Sequence, residues 1–436
     1  MFSKGLIILI TILQFSMVSA QHRQIFDFTG QKSKEKEVFI LNNLIKYGNK
    51  GYGFDLGTEN SVEFVKSKKK QSLYSNKPFY FSADVPEGNY HVTIIYRGLK
   101  SHTIHSTVRS ESRRWSLDQV EIPKNKKVTK QFNVHIKNPK IREDKSVRLK
   151  APREIEKLDW DNKLTLEFQG ENNIERIIIE PIKVATTLFL AGNSTVVNQE
   201  HEPWASWGQM IPRYFDAKIV VANHAESGLA LSSFLSSNRL EKILSVAKPG
   251  DYLFIEFGHN DQKETGEKAG AYNGYTERLK YFVTQFRAIG GIPIIVTSTA
   301  RRSFDASGNL NYTLGDYPEA ARKVAQELNF PLIDLNKLTR EFYTALGVED
   351  SKRAFVHYPA YTFPDQPQPL QDNTHFNTYG AGQIAKMMLS EIQRLKLPIA
   401  KNIIDFSNYS TKNPDNFKNW NWPLSVLSSE LKPDGN

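Results

Sequence analysis

From residue 21 to about 183, apolar and polar positions alternate in short runs bounded by turn residues. Phe79-Tyr80-Phe81 leads to Val85, the turn Pro86-Glu87-Gly88-Asn89 follows, and the next run extends from Tyr90 to Tyr96. Phe132 to Ile136, Leu164 to Phe168 and Ile177 to Ile179 repeat the pattern. A period of two puts one set of side chains on one face of a sheet, and strands with no helix between them predict an all-β sandwich domain over 21–183. The charged stretch from Arg142 to Lys157 interrupts the alternation and is expected to form a long loop.

After Lys183 the pattern changes. Short β runs at Thr187 to Ala191, Lys218 to Asn223, Asp251 to Phe257, Ile292 to Ser298 and Pro331 to Leu335 are separated by helical stretches. The helical period is clearest over Tyr275 to Phe286, Tyr317 to Leu328 and Phe376 to Leu395. Strands and helices in alternation predict right-handed crossovers and a doubly wound parallel α/β sheet over 184–400. A polar tail over 401–436, containing Asn419-Trp420-Asn421-Trp422-Pro423, is expected to pack as an extension on it. A chain of 436 residues has room for two such cores.

The N-terminus adds a compartment. Met1-Phe2-Ser3-Lys4, an apolar stretch from Gly5 to about Val18, and Val18-Ser19-Ala20 before Gln21 form the pattern of a signal peptide over 1–20 with cleavage after Ala20. No other run reaches the roughly 18 apolar residues of a membrane helix, so the mature protein is expected to be soluble, without membrane insertion, in the periplasm or outside the cell. The chain has no Cys. That excludes disulfides, Cys-ligated metals and a lipid on an N-terminal Cys. The net charge is +10, with a cluster at Lys66-Ser67-Lys68-Lys69-Lys70. Export argues against nucleic acid as a partner, which leaves either a uronate-bearing polysaccharide or a solvated loop to account for the cluster.

In an open parallel sheet, ligands bind beyond the carboxyl ends of the strands. Three predicted strands end in polar clusters: Gly192-Asn193-Ser194-Thr195, Asn223-His224-Ala225-Glu226-Ser227-Gly228, and Gly258-His259-Asn260-Asp261. A fourth, Asp372-Asn373-Thr374-His375, precedes the last long helix. Together they hold the parts of acyl transfer: Ser194 as nucleophile, His375 as base, Asp372 on the same loop to orient it, and the Ser194 and Gly228 N–H groups with the Asn260 amide as oxyanion donors. Taken singly, the clusters read more readily as a turn, a helix cap or a satisfied loop histidine; it is their combination in order that points to acyl transfer. Trp204 and Trp207 after the nucleophile loop, with His357, Tyr358 and Tyr361 before Asp372, are candidate sugar contacts, and Arg301 or Arg302 could pair with a uronate carboxylate. For Trp207 core packing is an equal reading.

These four clusters resemble the signature blocks of the SGNH hydrolases. Ser194-Thr195-Val196, Trp207-Gly208, Phe257-Gly258-His259-Asn260-Asp261, Arg301-Arg302-Ser303-Phe304 and Asp372-Asn373-Thr374-His375-Phe376-Asn377 with Gly380-Ala381 resemble more narrowly the rhamnogalacturonan acetylesterase branch, over about residues 186–396. The resemblance implies a flavodoxin-like sheet, a Ser-Asp-His triad, no metal or other cofactor, and acetylated pectic polysaccharide or oligosaccharide as substrate. The β segment resembles the galactose-binding-like modules of bacterial members and is expected to be separable, without catalytic groups. Asn193 departs from the family's usual Asp before the nucleophile, which bears on rate and pH optimum. Two other readings stay open: an SGNH esterase on xylan acetate or lipid, and a carbohydrate-binding pseudoenzyme.

Overall fold

The protein is described by a computed structural model over residues 22–67 and 70–434. The expected signal peptide, and Lys68 and Lys69 of the lysine cluster, lie outside the described residues.

Two mainly antiparallel sheets form the N-terminal part. One orders its strands Lys127–Ile136, Gly88–Arg97, Asn172–Pro181, Gln24–Asp27 and Val38–Ile40, with Lys70–Ser75 and Glu63–Ser67 added beside Asn172–Pro181. Its last pair, Gln24–Asp27 with Val38–Ile40, is parallel. The other runs Tyr52–Asp55, Phe79–Asp84, Lys163–Gly170, Ile104–Ser110, Arg114–Ile122. Val92, Ile94, Ile177 and Ile179 of the first sheet meet Phe81, Leu164, Leu166 and Phe168 of the second in one core, as the alternation predicts. The second sheet is buried on its outer face as well, where Tyr80, Arg109, Thr165 and Glu167 are sealed from solvent.

The α/β part is a parallel sheet ordered Ile219–Asn223, Thr186–Gly192, Tyr252–Phe257, Ile292–Thr297, Leu332–Ile333. Alternate residues of each strand point to opposite faces. Phe189, Ala191, Leu253 and Ile255 pack against the helices Leu231–Ser236, Arg239–Val246, Thr276–Ala288 and Tyr317–Leu328. Leu188, Leu190, Phe254, Ile294 and Val296 pack on the other side, against Leu335–Asp350 and Thr378–Arg394. Burial on both faces is why these strands read as nearly continuous apolar runs. The Thr378–Arg394 helix starts at Asn377, whose side chain accepts from the Gly380 N–H.

Two expectations change. The Arg142 to Lys157 stretch is not a long free loop: it holds a short hairpin, Lys140–Arg142 with Lys145–Ser146, and a helical turn, Arg153–Glu156. Two of its charges are buried in ion pairs, Lys157 with Glu226 at 2.9 Å and Glu154 with Arg239 at 2.5 Å. Arg113 on Glu202 at 2.6 Å and Lys242 on Glu87 at 2.7 Å add further pairs between the β sheets and the α/β part. Buried ion pairs add little net stability, but each fixes a relative position, because breaking one leaves a charge without a partner. The second change is that Asp372 and His375 do not lie on a loop. They belong to the strand Leu370–Phe376, which pairs antiparallel with Phe355–Tyr358.

Candidate active site

The nucleophile loop leaves the Thr186–Gly192 strand, which is flanked in the sheet by the two strands that carry the other clusters. Gly192 is required by a close approach, since a Cβ there would lie 2.5 Å from the Val196 side chain and 3.1 Å from the Glu256 carbonyl. The Ser194 carbonyl accepts from Ser206 Oγ at 2.6 Å and Gln199 Nε2 at 2.9 Å, which fixes the turn. His375 Nε2 lies 2.8 Å from Ser194 Oγ, and His375 Nδ1 lies 2.7 Å from Asp372 Oδ2. The other Asp372 oxygen accepts from the backbone N–H groups of Thr374 and His375. Burial alone would raise the Asp372 pKa. The His375 imidazole and these two N–H groups outweigh it and hold the carboxylate below its ordinary range. Trp204 meets the His375 ring edge-on at 5.8 Å and limits its tilt.

The remaining clusters converge on the same place. The Glu226 N–H donates to the Gly192 carbonyl, Asn260 Nδ2 donates to the Leu229 carbonyl at 3.1 Å, and Asp261 Oδ1 accepts from the Leu231 N–H at 2.9 Å. One Asn260 amide hydrogen is therefore committed to the loop, and the other meets no acceptor among the described residues. Gly228 has φ +76°, a left-handed conformation that favours glycine, and a Cβ there would lie 2.8 Å from Lys150 Nζ and 2.9 Å from Asp434 Cβ.

The candidate substrate contacts divide. Trp207 is fully buried, with its indole N–H on Glu256 Oε2 at 2.6 Å, so it belongs to the core and not to a sugar platform. Arg302 is also corrected. It is only 9% exposed and donates to Ser351 Oγ, Asn373 Oδ1 and the Val348 carbonyl, so it braces the strand that bears Asp372 from a buried position. Trp204 is buried against His375 and reaches the site through that ring. His357 shares Asn373 Oδ1 with Arg302, at 3.0 Å, and is half-buried like Tyr358. Tyr361 is 81% exposed. Arg301 is half-buried beside the His259 carbonyl. Lys263 is held below the ordinary lysine range by burial and by the nearby charges of Arg301 and Lys432, and Lys432 Nζ lies 3.8 Å from Asp372 Oδ2. Lys432 comes from the C-terminal tail, which the sequence did not connect to the site. Among the described residues no group of three or more His, Asp or Glu side chains is arranged to hold a metal ion.

Glu256 is a further member that motif reading missed, although a lone Glu inside the apolar strand Tyr252–Phe257 is a visible signal. Its carboxyl accepts from Trp207 and lies 2.9 Å from Thr195 Oγ1, and burial pushes its pKa up to about 7. Thr195 Oγ1 also lies 2.9 Å from Asn193 Oδ1. One hydroxyl hydrogen cannot serve both acceptors, so a protonated Glu256 that donates to Thr195 completes the chain Glu256–Thr195–Asn193. Asn193 thus acts through its oxygen, and its Nδ2 has no hydrogen-bond partner among the described residues. A carboxyl whose folded pKa exceeds the unfolded value of 4.5 gives stability that is fully present below 4.5 and lost as pH rises to about 7. The loss is expected to be about 3 kcal/mol, and Glu256→Gln should abolish it. Thermal melts of both proteins between pH 4.5 and 7.5 check this: the wild-type midpoint should fall relative to the variant's, and a constant gap would contradict it.

The model of the GDSL-like lipase/acylhydrolase family matches residues 190–381. Rhamnogalacturonan acetylesterase RhgT of Bacillus subtilis (strain 168) is 41% identical over 227 residues, covering 52% of this chain and 95% of that protein. The probable rhamnogalacturonan acetylesterase YesY of the same organism is 33% identical over 224 residues, covering 51% of this chain and 99% of that protein. The crystal structure of YxiM from Bacillus subtilis aligns over 86% of this chain and 99% of its own, at 23% identity and a TM-score of 0.45.

Proposed function

Because the chain belongs to the GDSL-like lipase/acylhydrolase family of carboxylic ester hydrolases, also known as SGNH hydrolases, we propose that it removes acetyl groups from an acetylated pectic polysaccharide outside the cytoplasm, through Ser194, His375 and Asp372. The observation that carries the reaction is the continuous relay of 2.8 Å and 2.7 Å from Ser194 Oγ through the imidazole to Asp372. His375 Nε2 takes the Ser194 proton as Oγ attacks the acetyl carbonyl, and Asp372 holds the tautomer that leaves Nε2 free to do so. The oxyanion is met by the Ser194 and Gly228 N–H groups and the uncommitted Asn260 hydrogen. Collapse expels the sugar oxygen, which takes the proton back from His375. Water then repeats the sequence on the acetyl-enzyme, releasing acetate and free Ser194.

The substrate reading is supported by the two relatives named as rhamnogalacturonan acetylesterases and by the cations Lys263, Arg301 and Lys432 at the site's edge, which suit a polymer bearing uronate carboxylates. Residues 1–20 serve as the export signal, 21–183 as a β module, 184–400 as the catalytic domain and 401–436 as its extension. Acetate release measured on acetylated pectin, acetylated xylan and a small chromogenic acetate tests the substrate. Pectin should be deacetylated with at least about a tenfold higher kcat/KM than xylan, a difference of about 1.4 kcal/mol in transition-state binding. Equal or reversed preference would overturn the pectic assignment while leaving the esterase chemistry in place.

A further inference from the structure

We infer that Lys150, contributed by the N-terminal segment, is a positioning residue of the oxyanion site, acting on the Ser227–Gly228 peptide that it grips through the Ser227 carbonyl. The inference rests on the esterase reading above, in which the Gly228 N–H is a donor to the tetrahedral intermediate.

The carbonyl and N–H of one peptide group are conjugated and rigidly coplanar. Lys150 Nζ lies 2.5 Å from the Ser227 carbonyl oxygen, and the N–H on the other end of that same peptide belongs to Gly228. An ammonium on the oxygen draws electron density from the amide nitrogen and strengthens its N–H as a donor, while fixing the plane in which the N–H points. The neighbouring peptide is held too. The Ser227 N–H donates to Glu226 Oε1 at 2.8 Å, and Glu226 Oε2 receives Lys157 Nζ at 2.9 Å. Lys157 also reaches Glu200 at 3.3 Å, and Arg153 lies 2.9 Å from Glu200. Burial opposes the Lys157 charge, but Glu200 and Glu226 outweigh it and its pKa is raised, so the pair is firmly ionised. Lys150, Arg153 and Lys157 all come from the segment expected to stand apart from the chemistry. The segment's charges close around the loop on which Gly228 sits. On the outer side Asp434 Oδ2 lies 3.5 Å from Lys150 Nζ and keeps the ammonium over Gly228.

Such a residue affects the transition state more than the ground state, because the neutral ester carbonyl asks little of the donor. Removing a whole oxyanion donor costs roughly a hundredfold to a thousandfold in kcat, and loosening one should cost less. The test uses the full-length protein and its Lys150→Met and Lys150→Arg variants, with a small neutral chromogenic acetate. Met keeps the aliphatic stem and removes the charge. Lys150→Met should lower kcat about tenfold with KM within about twofold, and should weaken a neutral trifluoromethyl ketone, whose adduct on Ser194 is an oxyanion, by the same factor. Lys150→Arg should restore kcat to within about threefold of wild type. Titration of Ser194 with an organophosphate to its end point, and the thermal midpoint, report whether the variants are folded with a full complement of nucleophile. A kcat for Lys150→Met within twofold of wild type, or a fall in kcat with no loss of ketone affinity, overturns the inference alone. A wild-type protein that neither hydrolyses the ester nor titrates at Ser194 overturns it together with the esterase reading.

Discussion

Replacing Ser194 by Ala should lower kcat for any acetate ester by at least about a thousandfold, with the fold unchanged. The Ser194 hydroxyl meets His375 Nε2, whereas its carbonyl is what anchors the turn to Ser206 and Gln199. Removing Oγ therefore deletes the proposed nucleophile and spares the scaffold. What remains is water acting with the oxyanion donors, a far slower route because water is neither positioned nor covalently committed. The melting temperature should stay within about 2 °C of wild type, since a single partly satisfied hydroxyl is worth about 1 kcal/mol or less. Mass spectrometry after organophosphate treatment gives an independent reading. The peptide that contains Ser194 should carry the label in the wild type and lose it in the variant. A label on any other serine would reassign the nucleophile.

The largest effect on stability is expected at Glu202. Its carboxylate lies 2.6 Å from Arg113 and 3.9 Å from Arg109, and it accepts from the Trp422 indole N–H at 2.8 Å and from the Ser425 N–H at 3.2 Å. Both arginines are buried, and Arg109 lies against the Trp422 ring with its carbon 3.9 Å from the centroid. Glu202→Ala would leave Arg113 without this carboxylate, held by the carbonyl oxygens of Gln199 and Trp204. It would leave Arg109 with Glu167 as its remaining carboxylate. Removing one partner from a buried ionic cluster costs about 3–5 kcal/mol, which for a chain of this length lowers the melting midpoint by roughly 3–6 °C. The tail should loosen at the same time, because Trp422 and Ser425 lose their acceptor. Limited proteolysis beyond residue 420 should accelerate in the variant. An unchanged midpoint with an unchanged digestion pattern would show that the cluster does not hold these segments together.

Much of this was legible in the sequence where local pattern and local chemistry agree. Strands at Thr186–Gly192, Ile219–Asn223, Tyr252–Phe257 and Ile292–Thr297 announce themselves because burial on both faces demands unbroken apolar runs. Ser194, Asp372 and His375 stand out as the proposed nucleophile, orienting carboxylate and base because they fall in polar clusters beside such elements, and the structure brings the three together. What could not be read depends on contacts between distant segments. Trp207 and Arg302 have the right residue types beside the right motifs, and only the fold shows that Glu256 takes the first and that Ser351, Asn373 and the Val348 carbonyl take the second. The stretch from Arg142 to Lys157 reads as a long loop because nothing local to Lys157 names Glu226 as its partner. Lys432 likewise is a polar residue in a polar tail until the tail is traced to Asp372.

The hairpin of Phe355–Tyr358 and Leu370–Phe376 separates two tasks along one stretch of chain. Its base is clamped by the buried pair Phe355 and Phe376, whose rings lie 5.0 Å apart; His375 stands next to that clamp, and Asp372 lies three residues nearer the loop on the same strand. Its far end is the loop 359–369, where Tyr361 projects into solvent. Lengthening a loop closed by a firm stem is cheap, about 0.6 kcal/mol for each doubling. The loop can therefore be treated as an exchangeable cassette: new tips can be grafted between Tyr358 and Leu370 while the imidazole and its carboxylate keep their register on the strand beneath.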